Sequence, residues 1–227
     1  MTATIRQRAA CISVNPATLS VTRDFLGFQG GALDAGVSVL TQMRRLTNQH
    51  VHMNIILVGT ETYVLADIRE VDAAIQFTRD SYDQVNLGVG RILWFNIPTA
   101  QSRGREDIAN NDEAETLTDE WTVDNDALDI FIVQTYAGTT IGLSRVDGPC
   151  NKDAKGMDGS VVAIEDSVNT TGFVLAHEAG HYLGLSHGGG SGNLMFGTVP
   201  NGGALTTGQG NNMRDHCFVR AGCALVA

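Results

Sequence analysis

The run HEAGHYLGLSH, residues 177–187, constrains this chain more tightly than any other stretch of it. His177 and His181 are four residues apart, so on an α-helix their side chains share one face and can reach a single ion. His187 cannot be the next member of that face. Ten residues beyond His177 a straight helix has risen about 15 Å, outside coordination range. The chain must therefore stop and fold back. Gly184 stands where that reversal is needed, because glycine takes the left-handed backbone that ends helices at no steric cost. The spacing predicts a helix, a glycine turn and a return, with three imidazoles converging.

Such a set suits zinc, which catalytic sites hold with three protein ligands and a fourth position left open. Glu178 directly follows the first histidine, about 100° round the helix, where its carboxylate faces the ion's water without coordinating. Zinc lowers the pKa of a water from 15.7 toward about 7. Glu178 can take that water's proton during attack on a carbonyl and hand it to the leaving amine. The candidates are thus His177, His181 and His187 as metal ligands, Glu178 as general base and Gly184 as the helix-ending turn. His50, His52 and His216 read as structural or exposed histidines.

The pattern HExxHxxGxxH is the zinc-binding signature of the metzincin clan of metallopeptidases, which the chain resembles. The clan's second mark is a methionine turn beneath the metal. Here Met195 stands eight residues after His187, a separation similar to that of matrixin-like members. The resemblance implies an α/β catalytic domain: a twisted, mostly parallel five-stranded sheet with an antiparallel edge strand, a zinc helix and a C-terminal helix. It also implies one catalytic Zn2+, a protein or peptide substrate, and cleavage within the chain. In the clan the substrate backbone pairs with the edge strand. Residues 140–146 match that strand best, which makes Thr140, Ile141, Gly142, Leu143 and Ser144 substrate-binding candidates. Two departures matter: Phe196 offers no hydroxyl where some members carry a tyrosine, and Cys11 lacks the surroundings of a cysteine switch.

Elsewhere, residues 51–58 and 91–97 read as strands joined by an amphipathic helix over 67–83, a parallel crossover. Residues 128–134, 140–146 and 160–165 are further strand candidates. Asn169 or Thr170 can cap the helix that carries His177, expected over 171–183, and a last helix is expected over about 205–219. Ten acidic residues from Glu106 to Asp129, with few apolar anchors, suggest a long solvated loop there. Asp124, Asn125, Asp126 and Asp129 offer oxygen ligands for Ca2+, yet the run lacks the Gly and the distal Glu of an EF-hand, so calcium is the lesser expectation. The four cysteines lack the spacing of a structural zinc site, and at least one disulfide is expected, with the closely spaced Cys217 and Cys223 as the first pair to consider.

A formal net charge of −10 opposes a phosphate-binding surface, so nucleic acid is not an expected partner. No apolar run approaches membrane-spanning length. A single domain is expected over 1–227: residues 1–49 as an extension or remnant pro-segment, 50–187 as the sheet and zinc-helix part, 188–227 as the part with the methionine turn. A monomer is the default. The first residues carry no apolar signal core; a secreted or extracellular location is expected with the signal segment removed. Two other readings stand beside a secreted endopeptidase: an inactive zinc-binding module, and a toxin-like effector protease delivered into target cells.

Overall fold

The computed structural model describes residues 41–42, 48–152, 155–198 and 202–221. The expected N-terminal extension up to residue 40, Cys11 and Cys223 lie outside the described residues.

Four parallel strands form the centre of a seven-stranded sheet. They are β2 (His50–Val58), β3 (Gly88–Ile97), β5 (Leu128–Val133) and β8 (Ser160–Ala163), adjacent in the order β3-β2-β5-β8. All nine residues of β2 and all ten of β3 are buried, as strands covered on both faces must be. Short antiparallel pieces flank them. β1 (Thr41–Gln42) pairs with β3, β9 (Val219–Arg220) with the start of β2, and β7 (Gly142–Leu143) with β8 at the sheet's edge. The α/β class, the mostly parallel sheet and the antiparallel edge strand are as the sequence led one to expect. The edge strand is shorter than residues 140–146, and the sheet gains two strands too short to leave a pattern in the sequence.

Alternation along the strands divides the interior. Met53, Ile55 and Leu57 of β2 face one side with Trp94, Ile130, Ile132 and Val162, and meet the helices α1 (Leu65–Asp83) and α4 (Val168–Tyr182). Ile56 and Val58 face the other side with Phe95, Phe131, Val133 and Val161. After β3 come the single-turn α2 (Thr99–Ser102), β4 (Asp107–Ile108) and α3 (Asn111–Glu120), and α3 closes this second face with Ala114 and Leu117. β4 pairs with β6 (Thr135–Tyr136) in a separate two-stranded parallel ribbon.

α3 corrects the expectation of a solvated loop over this acidic stretch. Its start is well made: the Asn110 side chain accepts from the Glu113 N–H at 3.0 Å, and the Glu113 carboxylate accepts from the Ala109 N–H at 2.7 Å. Asp112 and Glu113 in the first turn suit the positive end of the helix dipole. Its acidic residues occupy the outer face, while Ala114, Leu117 and Thr118 supply a narrow buried stripe.

A second correction concerns the cysteines. Cys217 is bonded to Cys150, 67 positions earlier, with Cα atoms 5.9 Å apart, which leaves it no sulfur for Cys223. The disulfide ties the loop before β8 to the segment after α5 (Thr207–Arg214), a helix shorter at its C-terminal end than the expected 205–219. Lys152 of the same loop reaches Asp129 at 2.8 Å, and both are buried.

Candidate metal centre

α4 begins at Val168, with Ser167 at the cap rather than Asn169 or Thr170. Over its last two turns it carries His177 and His181 on one face, with ring centroids 4.6 Å apart. His187 returns to both, at 5.2 Å from His177 and 4.6 Å from His181. One ring nitrogen from each of the three lies within 4.8 Å of the others. No other group of three or more His, Cys, Asp or Glu converges in this way among the described residues.

The nitrogens that face one another are identified by their neighbours. His177 Nδ1 lies 2.7 Å from the Leu194 carbonyl oxygen and His181 Nδ1 lies 2.6 Å from that of Leu185. A carbonyl oxygen only accepts, so each Nδ1 carries the proton and each Nε2 keeps its lone pair for an ion. The Nε2 atoms of His177 and His187 are 3.2 Å apart. A tetrahedral zinc with bonds of 2.0 to 2.1 Å needs its ligands about 3.3 Å apart, so the donor set fits the ion. Burial holds His177 below the usual histidine range and lowers His181 to about 4, against the opposing pull of their carbonyl partners. Both rings are therefore uncharged at neutral pH, as ligands must be.

The return of the chain is visible in the backbone. Gly184 has φ +97°, its N–H donates to the His181 carbonyl at 2.9 Å, and the Leu185 N–H donates to Gly180 at 3.0 Å. That geometry turns the chain back beneath α4. The turn at residues 193–195 closes on the same region: the Gly188 N–H donates to the Met195 carbonyl at 2.9 Å, and the Asn193 side chain accepts from the Met195 N–H at 2.9 Å. Asn193 and Gln209 exchange two amide hydrogen bonds of 2.9 Å, which fastens the turn to α5. Met195 is fully buried under α4, so close that a Cβ on Gly180 would lie 2.9 Å from its Sδ.

The C-terminal end of α4 is fastened from a second side as well. The N–H groups of Asp147 and Gly148 donate to the carbonyls of His181 and Tyr182, at 3.0 and 2.8 Å. The Tyr182 hydroxyl donates to Pro149 at 2.9 Å. The disulfide-bonded loop thus satisfies carbonyls that the last helical turn leaves without an internal partner.

Glu178 faces the cleft beside the histidines and is only 7% exposed. Burial alone raises its carboxyl to about 8. Gly142 lies against it: a Cβ there would stand 2.7 Å from Glu178 Cγ. The cleft, about 600 Å³, is lined by Glu178 and the three histidines, by residues 139–144 and Val146, by Val174, Gly197 and Thr198, and by Asn111. All five edge-strand candidates, from Thr140 to Ser144, fall on this wall. Sequence reasoning missed Asn111, because the helix that brings it there was read as a loop. It also missed the carbonyls of Leu185 and Leu194, which no side-chain pattern announces.

Three of the four residues that offer oxygens for calcium, Asn125, Asp126 and Asp129, are engaged with other parts of the protein. Asp129 accepts from the Asn54 amide at 2.6 Å, from the Val123 N–H at 3.0 Å and from the Thr122 hydroxyl at 3.1 Å, besides its ion pair with Lys152. Asp126 pairs with Arg91, and Asn125 accepts from Asn54 and Ala127. The remaining histidines are buried in structural roles: the His52 ring accepts from the Arg91 N–H at 3.0 Å, and the His216 ring donates to the Gly148 carbonyl at 2.9 Å.

A parallel sheet whose antiparallel edge strand overhangs a helix bearing His177 and His181, with His187 returning to complete the triad, defines a metallopeptidase. The chain belongs to the M12B reprolysin-like metallopeptidase family, whose model matches residues 62–188. The matrixin-like methionine spacing thus occurs within a reprolysin-like chain. Among solved structures the chain is similar to metalloproteinase-II from Bacteroides fragilis, with a TM-score of 0.54 and 15% identity over 77% of this chain and 54% of that one. That likeness is one of fold, and the chain spans about half the length of that structure. No curated protein sequence matches the chain.

Proposed function

We propose that this protein is a zinc-dependent endopeptidase that cleaves peptide bonds within proteins, with His177, His181 and His187 holding the metal and Glu178 as general base. One observation carries the reading: a buried carboxylate lies beside three convergent imidazole nitrogens and directly beneath a free sheet edge. A zinc ion in that donor set supplies Lewis acidity, polarising the scissile carbonyl and acidifying the attacking water.

The chain's own groups do the rest. Glu178 takes the proton from the attacking water and delivers it to the amine that leaves. Its carboxylate lines the cleft beside the three histidines, within reach of a water held there. β7 pairs with β8 on one side only, and its outer edge is free among the described residues. An extended substrate can add there as an antiparallel strand, using Thr140, Ile141, Gly142, Leu143 and Ser144. Since Gly142 touches Glu178, a peptide so bound presents its backbone to the base. Phe196 has no hydroxyl to offer an oxyanion, so a zinc held by His177, His181 and His187 would have to supply that stabilisation. A disulfide suits an oxidising compartment, which supports a secreted enzyme.

The test is metal content and cleavage measured on one preparation. Wild type should carry one zinc and cut within a denatured protein; Glu178→Ala should keep the zinc and lose at least about 10²-fold in turnover. A zinc-loaded Glu178→Ala that still turns over would end the mechanism, and a zinc-loaded wild type inert on every peptide would end the function.

A further inference from the structure

The edge strand that would receive the substrate is only two residues long, Gly142–Leu143. Successive residues of a strand direct their hydrogen-bonding groups to opposite sides, so β7 can offer an extended peptide very few main-chain bonds. Something else on that wall must hold the rest of the chain.

Asn111 is built for it. It is the first residue of α3 and is fixed from three directions. Asn110 and Glu113 cap the helix on either side of it. β4, just before it, is paired with β6. Tyr136 at the end of β6 donates its hydroxyl to Asn111 Oδ1 at 2.7 Å. That tyrosine is buried, which raises its pKa to about 12 and keeps it a donor. With Oδ1 engaged, the two N–H bonds of Nδ2 have no partner among the described residues, and Asn111 lines the same cleft as Glu178 and the three histidines. A carboxamide held in this way presents the donor of a peptide group without a strand to carry it.

We propose that Asn111 is a substrate-binding residue that donates from Nδ2 to a main-chain carbonyl of the bound peptide on the C-terminal side of the scissile bond. The side follows from direction. Tyr136 and Thr139 precede β7 in the chain, and a peptide running antiparallel to β7 passes those residues with its C-terminal half. The inference rests on the endopeptidase reading above.

The experiment uses zinc-loaded full-length enzyme and one cleavable peptide shortened stepwise from either end. Asn111→Ala should lower kcat/KM about fivefold to tenfold on the longest peptide, as loss of one hydrogen bond does, through KM with kcat little changed. The deficit should vanish once C-terminal shortening removes the recognised carbonyl, and N-terminal shortening should leave it intact. Asn111→Asp, which keeps the acceptor for Tyr136 but replaces the donors with a carboxylate, should lose more. Tyr136→Phe, which only frees the carboxamide to rotate, should show a smaller deficit with the same length dependence, and it carries the test if Asn111→Ala melts early. No deficit on any peptide, or an equal deficit at every length, overturns the proposal and leaves the endopeptidase reading standing. A wild type that cleaves no peptide overturns both.

Discussion

Glu178→Gln keeps the shape of the buried side chain and removes its charge, so its effect on the metal-free fold should vary with pH in a way the geometry dictates. In the folded chain, burial raises the carboxyl from 4.5 to about 8. Between those values the unfolded chain has already released a proton that the folded chain still holds. The carboxyl's support for folding is therefore complete below about pH 4.5 and is lost progressively as pH rises to about 8. At about 1.36 kcal/mol per pH unit, metal-free wild type should fall behind Glu178→Gln by about 3 kcal/mol at pH 7 and about 4 kcal/mol at pH 8. His177 and His181, held below the usual range by burial, pull the opposite way, gaining stability as pH rises, but both proteins share them. Urea unfolding in a chelator at pH 5, 6, 7 and 8 measures the difference. Zinc should shrink it, because a cation beside the carboxylate repays much of the cost of burying its charge. A gap between the two metal-free proteins that stays constant from pH 5 to 8 would mean that Glu178 is not in a dry site, and the reasoning would fall with it.

Two other substitutions probe the frame around the site. Lys152→Met leaves the charge of Asp129, which is 0% exposed, without its cation, and should cost about 3 to 5 kcal/mol in urea unfolding; adding Asp129→Asn should recover most of that, and a loss below about 1 kcal/mol for the single variant would show that the pair is not buried as described. Gly142→Ala places a Cβ 2.7 Å from both Glu178 Cγ and Val174 Cγ1. Overpacking of about 1 to 3 kcal/mol should reduce kcat roughly tenfold or more with zinc content unchanged, and wild-type activity would separate the edge strand from the base.

The convergence of the three histidines was legible because it is encoded locally. Helical period placed His177 with His181, and one glycine accounted for the return of His187. The buried strands were legible from their apolar runs. α3 was hidden because its buried stripe is only Ala114, Leu117 and Thr118 beneath a dense acidic face, so composition spoke louder than period. β1 and β9 are two residues each, too short for any alternation. The cysteine partnership was misjudged because nearness in sequence stood in for nearness in space: the fold brings Cys150 to Cys217 across 67 positions, and no local rule foresees that.

The histidines, the Leu185 and Leu194 carbonyls that orient two of them, and the methionine beneath them all come from residues 177–195. The facing wall comes from residues 111 and 139–146, far upstream. The convergent histidines and the wall that faces them are therefore written on separate stretches of the chain. Insertions between α3 and β7 can reshape that wall while the histidine cluster stays as it is, so under the proposed function substrate preference is free to diverge without disturbing the metal centre.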